Sequence, residues 1–506
     1  MVIPEGKAMI RGFLVLVFIV LGWLAALWFL IVPDFSHWTL PQLAALHVAP
    51  PVVTWGGWML WRRHRKQTAE RVEIECAAIE ENERQAKREA ARAQHETEIR
   101  HRSFACDCRA LALVQLTVAG DDVLVPEGAG IAFSSVETDA LGDDEDAESL
   151  LEHLRPGIEE ALETVYAACP AALSFPVYVA PPADAVGDEV FDCVRETRAR
   201  IAADFGGPVR SNSEMGRILF LPAGNSVADS VIGLFESDPE LPGALVLAFD
   251  SPAWNEFRRR EEGFGADDID DALLRQQRQW LGQPGQGVVA MFLTQTQLSE
   301  MLRAAPRFRG EYDAMTPYWE KTPAAASGTL LASLSEDERE ALQQAPVLAR
   351  IHRAAAVQFD GKPQRSMELT RTIEALVERA QINATLVELP FNGSGETTKT
   401  AGSNDSTDRA ATCAWLIHNA GGVDCSGTRL AALGVGLLNR GIDVDPISEA
   451  SNLTVRIGDL GQARSVAMLA LTVARAASTQ GAALCAEFVG NDSLGLSFAA
   501  VPREAA

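Results

Sequence analysis

The chain has 506 residues, is 47% hydrophobic and 22% charged, and carries 44 basic against 69 acidic side chains, a formal charge of −25. Those figures exclude a collagen, a disulfide-stapled mini-protein and a wholly disordered chain. They exclude a nucleic-acid binder too, because contact with phosphate needs a basic footprint.

Mean hydropathy near zero is high for so acidic a chain, and the apolar excess sits at the start. Gly12 to Val32 is 21 residues without a charge, matching the roughly 20 that a helix needs to cross a bilayer. A signal peptide would have a shorter apolar region and a small-x-small cleavage site, whereas Pro33, Asp34 and Phe35 follow here. A second uncharged run, Leu40 to Trp61, contains His47 and the pair Pro50 and Pro51. A kinked span and an interfacial segment both fit it. Trp55, Trp58 and Trp61 cluster at its end, as an aromatic belt does. Lys7 and Arg11 precede the first run, and Arg62, Arg63, Arg65 and Lys66 follow the second, while Pro33 to Thr39 has no Lys or Arg. Positive flanks stay inside, which predicts a hairpin at the bacterial inner membrane, residues 1–66, with both termini cytoplasmic. Residues 1–103 hold 13 basic and 11 acidic side chains, so the remaining 403 carry −27. The basic collar at 62–66 suits anionic headgroups, which repel the acidic body. Eight irregularly spaced cysteines suit reduced cytosolic thiols.

Residues 67–103 read as a charged stalk. Gln67 to Arg102 has no Gly or Pro, and Glu80–Arg84 and Glu96–Arg100 are helix-spaced pairs. Its few apolar positions are mostly alanine, which favours a solvated single helix of ~54 Å over a coiled coil. Cys106 and Cys108, near His101, lack a second ligand pair, so no metal is expected. Beyond residue 104, strands are predicted at 175–180, 218–221, 244–249 and 288–293. Helices are predicted at 150–168, 192–204, 230–237 and 298–305, and exposed loops at 137–148, 258–271 and 392–408. Apolar runs alternating with helices indicate an α/β sheet covered on both faces.

Two distant stretches share one order of parts. Pro222 to Ser226 leads into the helix VADSVIGLF, Gly243 opens the strand ALVLAF, and GQGVVAMFL follows from Gly285. Gly458 to Gly461 leads into QARSVAMLALTVARAA, Gly481 opens AALCAEFVG, and LGLSFAAV follows. The spacing from Gly224 to Gly243 is 19 residues and that from Gly461 to Gly481 is 20. This matched order predicts duplication, with halves at 104–310 and 328–506. ALVLAFDS, PGQGVVAMFL, VRIGDLGQARSVAMLAL and the closing CAEFVGNDSLGLSFAAV together resemble the thiolase-like superfamily, specifically its β-ketoacyl synthases. The resemblance covers residues 105–503 and implies a duplicated five-layered α-β-α-β-α body that pairs into homodimers.

The chemistry of that family needs a thiolate at a helix N-terminus and imidazoles to manage decarboxylation and the oxyanion. The resemblance places the nucleophile turn at Ala223 to Ser226, which offers only Asn225 and Ser226, and Ser226 reads as a helix N-cap. It places the glycine–histidine step at Gly458-Asp459, where a carboxylate replaces the imidazole and reads as a cap for the following helix. His418 and Cys425, seven residues apart, are an alternative dyad with no further support. No catalytic set, metal site or cofactor motif is therefore expected. The resulting expectation is a membrane-anchored, catalytically degenerate scaffold with an unidentified protein partner. An enzyme or binding protein for membrane-proximal acyl chains is the first alternative, and an accessory part of an envelope secretion machine is the second.

Overall fold

Prolines inside the second apolar run do not end its helix. The computed structural model describes residues 5–27, 39–103, 105–117, 131–137, 149–183, 185–205, 217–261, 280–305, 330–331, 334–361, 365–387 and 413–502. The predicted loops at 138–148, 262–271 and 392–408 lie outside these residues, while 258–261 end a helix. The chain divides into two units, Met1–Gln94 and His95–Ala506. The first holds α1 (Glu5–Ala26) and most of α2 (Leu40–Ser103), a 64-residue helix about 96 Å long whose last nine residues belong to the second. The second apolar run and the stalk are therefore one helix. Pro50 has no N–H to give to the carbonyl four residues back, that of Leu46. Trp23 on α1 donates its indole N–H to that same oxygen at 3.0 Å, tying α1 to α2. Thr54 Oγ1 donates to the carbonyls of Pro50 and Pro51 at 2.9 and 3.0 Å. Among the described residues no helix is long and apolar enough to cross a membrane. The predicted span Gly12 to Val32 lies only partly among them, since residues 28–38 fall outside.

The second unit is mixed α/β around a 12-stranded sheet. In chain order its first half contains β1 (Cys106–Thr117), β2 (Ile131–Glu137), α3 (Leu150–Ala168), β3 (Val177–Ala180) and α4 (Gly187–Asp204). It continues with β4 (Ile218–Phe220), α5 (Val227–Ser237), β5 (Gly243–Asp250), α6 (Pro252–Glu261), β6 (Gly287–Gln295) and α7 (Leu298–Ala304). After α8 (Glu336–Gln344), the second half has β7 (Ala349–Ile351), β8 (Ala355–Gln358), α9 (Ser366–Asn383), β9 (Cys413–His418) and α10 (Val423–Leu438). It closes with β10 (Ala450–Asn452), α11 (Leu453–Arg456), α12 (Ala463–Thr479), β11 (Ala482–Val489) and β12 (Ser493–Ala500). The predicted strands and helices are present with shifted ends. α4 starts five residues earlier than predicted, because Asp188 and Glu189 favour a helix N-terminus.

Both halves use the same strand plan. In the first, β4, β3 and β5 run parallel, then β6 and β1 follow antiparallel. In the second, β10, β9 and β11 run parallel, then β12 and the β7–β8 pair follow antiparallel. The halves meet where β7 pairs antiparallel with β1. There Asp107 faces Arg350, whose Nε and Nη2 donate to its two carboxylate oxygens at 2.7 and 3.2 Å. Opposite charges set directly across a strand pair favour this register.

Three apolar clusters form the core. α3 and α4 cover the outer face of the first half's strands, with Leu154, Ile158, Leu162 and Val194 buried against Leu245, Leu247 and Phe292. α9 and α10 do the same in the second half, packing Ile373, Val377 and Leu433 against Leu484, Leu494 and Phe498. α5 and α12 share the third cluster with strands of both halves. Eleven of the 17 residues of α12 are buried, which explains its run of alanines: thin side chains let a helix sit among strands.

Candidate functional site

Of the predicted site residues, the seam between the halves carries Ser226 and Asp459. Ser226 is extended (φ −155°, ψ 164°), and its Oγ accepts the Asp229 N–H at 3.2 Å, so it is the N-cap of α5. Asn225 is exposed. A helix N-terminus leaves N–H donors unpaired and carries partial positive charge. From the other half, the carboxyl of Glu487 on β11 faces this helix start, where the Val227 N–H favours its ionised form. Ser465 Oγ of α12 donates to Glu487 Oε1. Glu487 is buried, and burial pushes its carboxyl above the usual range against the opposing pull of Ser465, Arg464 and the Val227 N–H.

Asp459 lies on the same seam and is linked to it through Arg464. Its Oδ1 is 3.5 Å from Arg464 Nη1 and accepts the Gly461 N–H at 3.0 Å. Its backbone exchanges bonds with the first half, donating to Gln283 O at 2.7 Å and accepting from Gly285 N at 2.8 Å. Asp459 thus closes the turn before α12 rather than capping the helix. Asp250, the last residue of β5, takes that role, as its Oδ2 accepts the Gln462 N–H at 2.8 Å. Gly461 (φ 55°) is required there, since a Cβ would fall 2.1 Å from Asp250 Oδ2. The third strand of the common plan in each half therefore carries, at or near its end, a carboxyl set at the central helix of the other half.

His418 ends β9 with both ring nitrogens engaged by backbone. Nε2 lies 2.8 Å from Pro446 O, and Nδ1 accepts the Ala420 N–H at 3.3 Å. Burial holds its pKa below the usual imidazole value. Cys425 falls in the first turn of α10, and its side chain lies outside the described residues. Burial raises the thiols of Cys169 and Cys413 to about 11 and that of Cys485 to about 12, the reverse of an activated nucleophile. His352 is held neutral by burial and by Arg350, with a pKa of about 4. His153 stacks on Trp254 at 4.8 Å and shares Gln286 Oε1 with Ser251 in a buried cluster. Among the described residues no group of three or more His, Cys, Asp or Glu is placed to hold a metal ion.

Sequence reasoning missed Glu487, Asp250, Arg464 and Ser465. The signal for the first two is a lone acid at or near the end of an otherwise apolar strand, in ALCAEFV and ALVLAFD. Such a carboxyl is buried and must find donors.

The sequence matches no protein-family model and no curated protein. Among solved structures, acetamide-bound Xanthomonas campestris OleA is 11% identical, covering 78% of this chain and 98% of its own, with a TM-score of 0.38. CsyB complexed with CoA-SH is 11% identical over 69% of this chain and 80% of its own, at 0.37. A Streptomyces albus oxazolomycin ketosynthase domain is 12% identical over 71% and 82%, at 0.34. Scores this low carry no argument about function. The chain's own strand plan and seam do.

Proposed function

We propose that this chain is a non-catalytic, thiolase-like scaffold held at the cytoplasmic face of a bacterial inner membrane. The repeated strand plan, with α5 and α12 packed on strands of both halves and further helices on the opposite face of each half, supports a five-layered α-β-α-β-α body. One observation carries the non-catalytic reading. The α5 N-terminus, where a thiolate or oxyanion would be stabilised, is already capped by Ser226, and the buried carboxyl of Glu487 is set against it. A buried carboxyl at that point takes the space and the donors that a developing anion would need. The membrane reading rests on the α1–α2 pair, where Phe18, Val53 and Leu60 are at least 70% exposed and the orphaned Leu46 carbonyl is answered from within the protein. Both features suit a medium that offers no hydrogen bonds. Self-association follows from the resemblance, and β4 is an outer edge strand with Leu219 and Phe220 exposed.

Incubating the full chain with labelled acyl thioesters tests the reading. No condensation product and no covalent adduct are expected, whereas an adduct on Ser226 or Cys425 would promote the acyl-transferring alternative. Reporter fusions at residue 36 and at the C-terminus should give opposite signals, and a periplasmic C-terminus would sink the hairpin.

A further inference from the structure

At the end of the apolar part of α2, two tryptophans and two arginines are arranged in rungs. The Arg62 guanidinium carbon lies 5.3 Å from the ring centre of Trp58, and that of Arg65 lies 5.2 Å from Trp61. Each pair spans one helical turn, and the two arginines are spaced i, i+3, so both guanidiniums sit on neighbouring positions of one helix side. A guanidinium that uses its face against a ring keeps its in-plane N–H donors free. Among the described residues no ion pair engages Arg62, Arg63, Arg65 or Lys66. Immediately before them, Met59, Leu60 and Trp61 are 47%, 70% and 56% exposed. Leu60 faces the other side of the helix, whereas Trp61 shares the side of the arginines, so a ligand for this place must carry an anion beside the arginines and a long apolar part beside Trp61.

The geometry points to a headgroup clamp: Arg62 and Arg65, each steadied by its tryptophan, bind the phosphate of an anionic phospholipid whose acyl chains lie along the apolar part of α2. The fork of each guanidinium suits two phosphate oxygens, which an ammonium cannot match. Free phosphate or a soluble nucleotide has no apolar part to cover Trp61. The clamp deepens the membrane reading above and rests on it.

The full chain is reconstituted into phosphatidylcholine vesicles with and without phosphatidylglycerol, extracted in mild detergent, and the lipids retained are counted by mass spectrometry. Wild type should retain phosphatidylglycerol over phosphatidylcholine by about tenfold, since each surface cation contributes a several-fold preference. Arg62→Gln with Arg65→Gln should abolish the preference while the chain stays in the vesicles. Arg62→Lys with Arg65→Lys preserves the charge but not the fork, so it should retain only part. Added inorganic phosphate should displace none of the lipid. A preference that survives the Gln pair, or that the Lys pair preserves in full, overturns the clamp and leaves the anchor standing. A wild-type chain that washes off both vesicles overturns the anchor and the clamp together.

Discussion

Glu487 is the residue on which the seam turns, because it is both buried and titratable. Its carboxyl binds a proton more readily in the folded chain than in the unfolded one, since burial outweighs the donors around it. The folded state therefore holds more protons, and this group's contribution to stability falls as pH rises from the ordinary carboxylate range through its raised value. Glu487→Gln keeps an acceptor for the Val227 N–H and for Ser465 but has no charge to desolvate. Melting temperature followed against pH should then fall less steeply for the variant than for wild type above the ordinary range. A steeper fall in the variant would mean that the ionised form is the one the helix N-terminus holds.

Elements were legible in the sequence where they repeat or alternate, and obscure where a distant partner decides. The strands at 244–249 and 288–293 are apolar on both faces and emerge as β5 and β6 with one or two residues added at each end. β1 was missed: Cys106, Asp107, Cys108 and Arg109 break its apolar run, and their partners lie 185 or more residues away, at Thr294 and Arg350. The N-cap role of Ser226 is local and was readable, whereas Asp250 and Glu487 act across halves and were not. The same logic applies to α2, whose prolines left a kinked span and an interfacial segment both open. The helix continues because Trp23, on another element, satisfies the Leu46 carbonyl. Trp23→Phe retains an aromatic ring and removes that donor. Reversible unfolding of the full chain in bilayer discs should show a loss of about 1 kcal/mol. Unchanged stability would assign the Leu46 carbonyl another donor.

At the scale of the whole molecule, the two halves of the body are joined by more than the short β1–β7 pairing. α5 and α12 bury Val231, Ile232, Val466 and Leu469 in one cluster with strands of both halves. The N-terminus of α5 takes Glu487 from the second half, and that of α12 takes Asp250 from the first. Gln283 and Gly285 of the first half bond the backbone of Asp459 in the second. Separating the halves would expose that apolar cluster and leave a helix N-terminus in each half without its carboxyl. Exposed apolar area costs roughly 25 cal/mol per Å², so a cluster of this size outweighs the few kcal/mol by which single domains are stable. Residues 104–506 should therefore unfold in one transition, with calorimetric and van't Hoff enthalpies equal. Residues 104–310 alone should remain disordered or aggregate, because β5 and β6 would have one face bare. A well-dispersed, cooperatively melting spectrum from 104–310 would show that the first half is a domain in its own right. The seam would then be a docking surface between two finished folds, and the carboxyls that cross it would be late additions rather than parts of a common core.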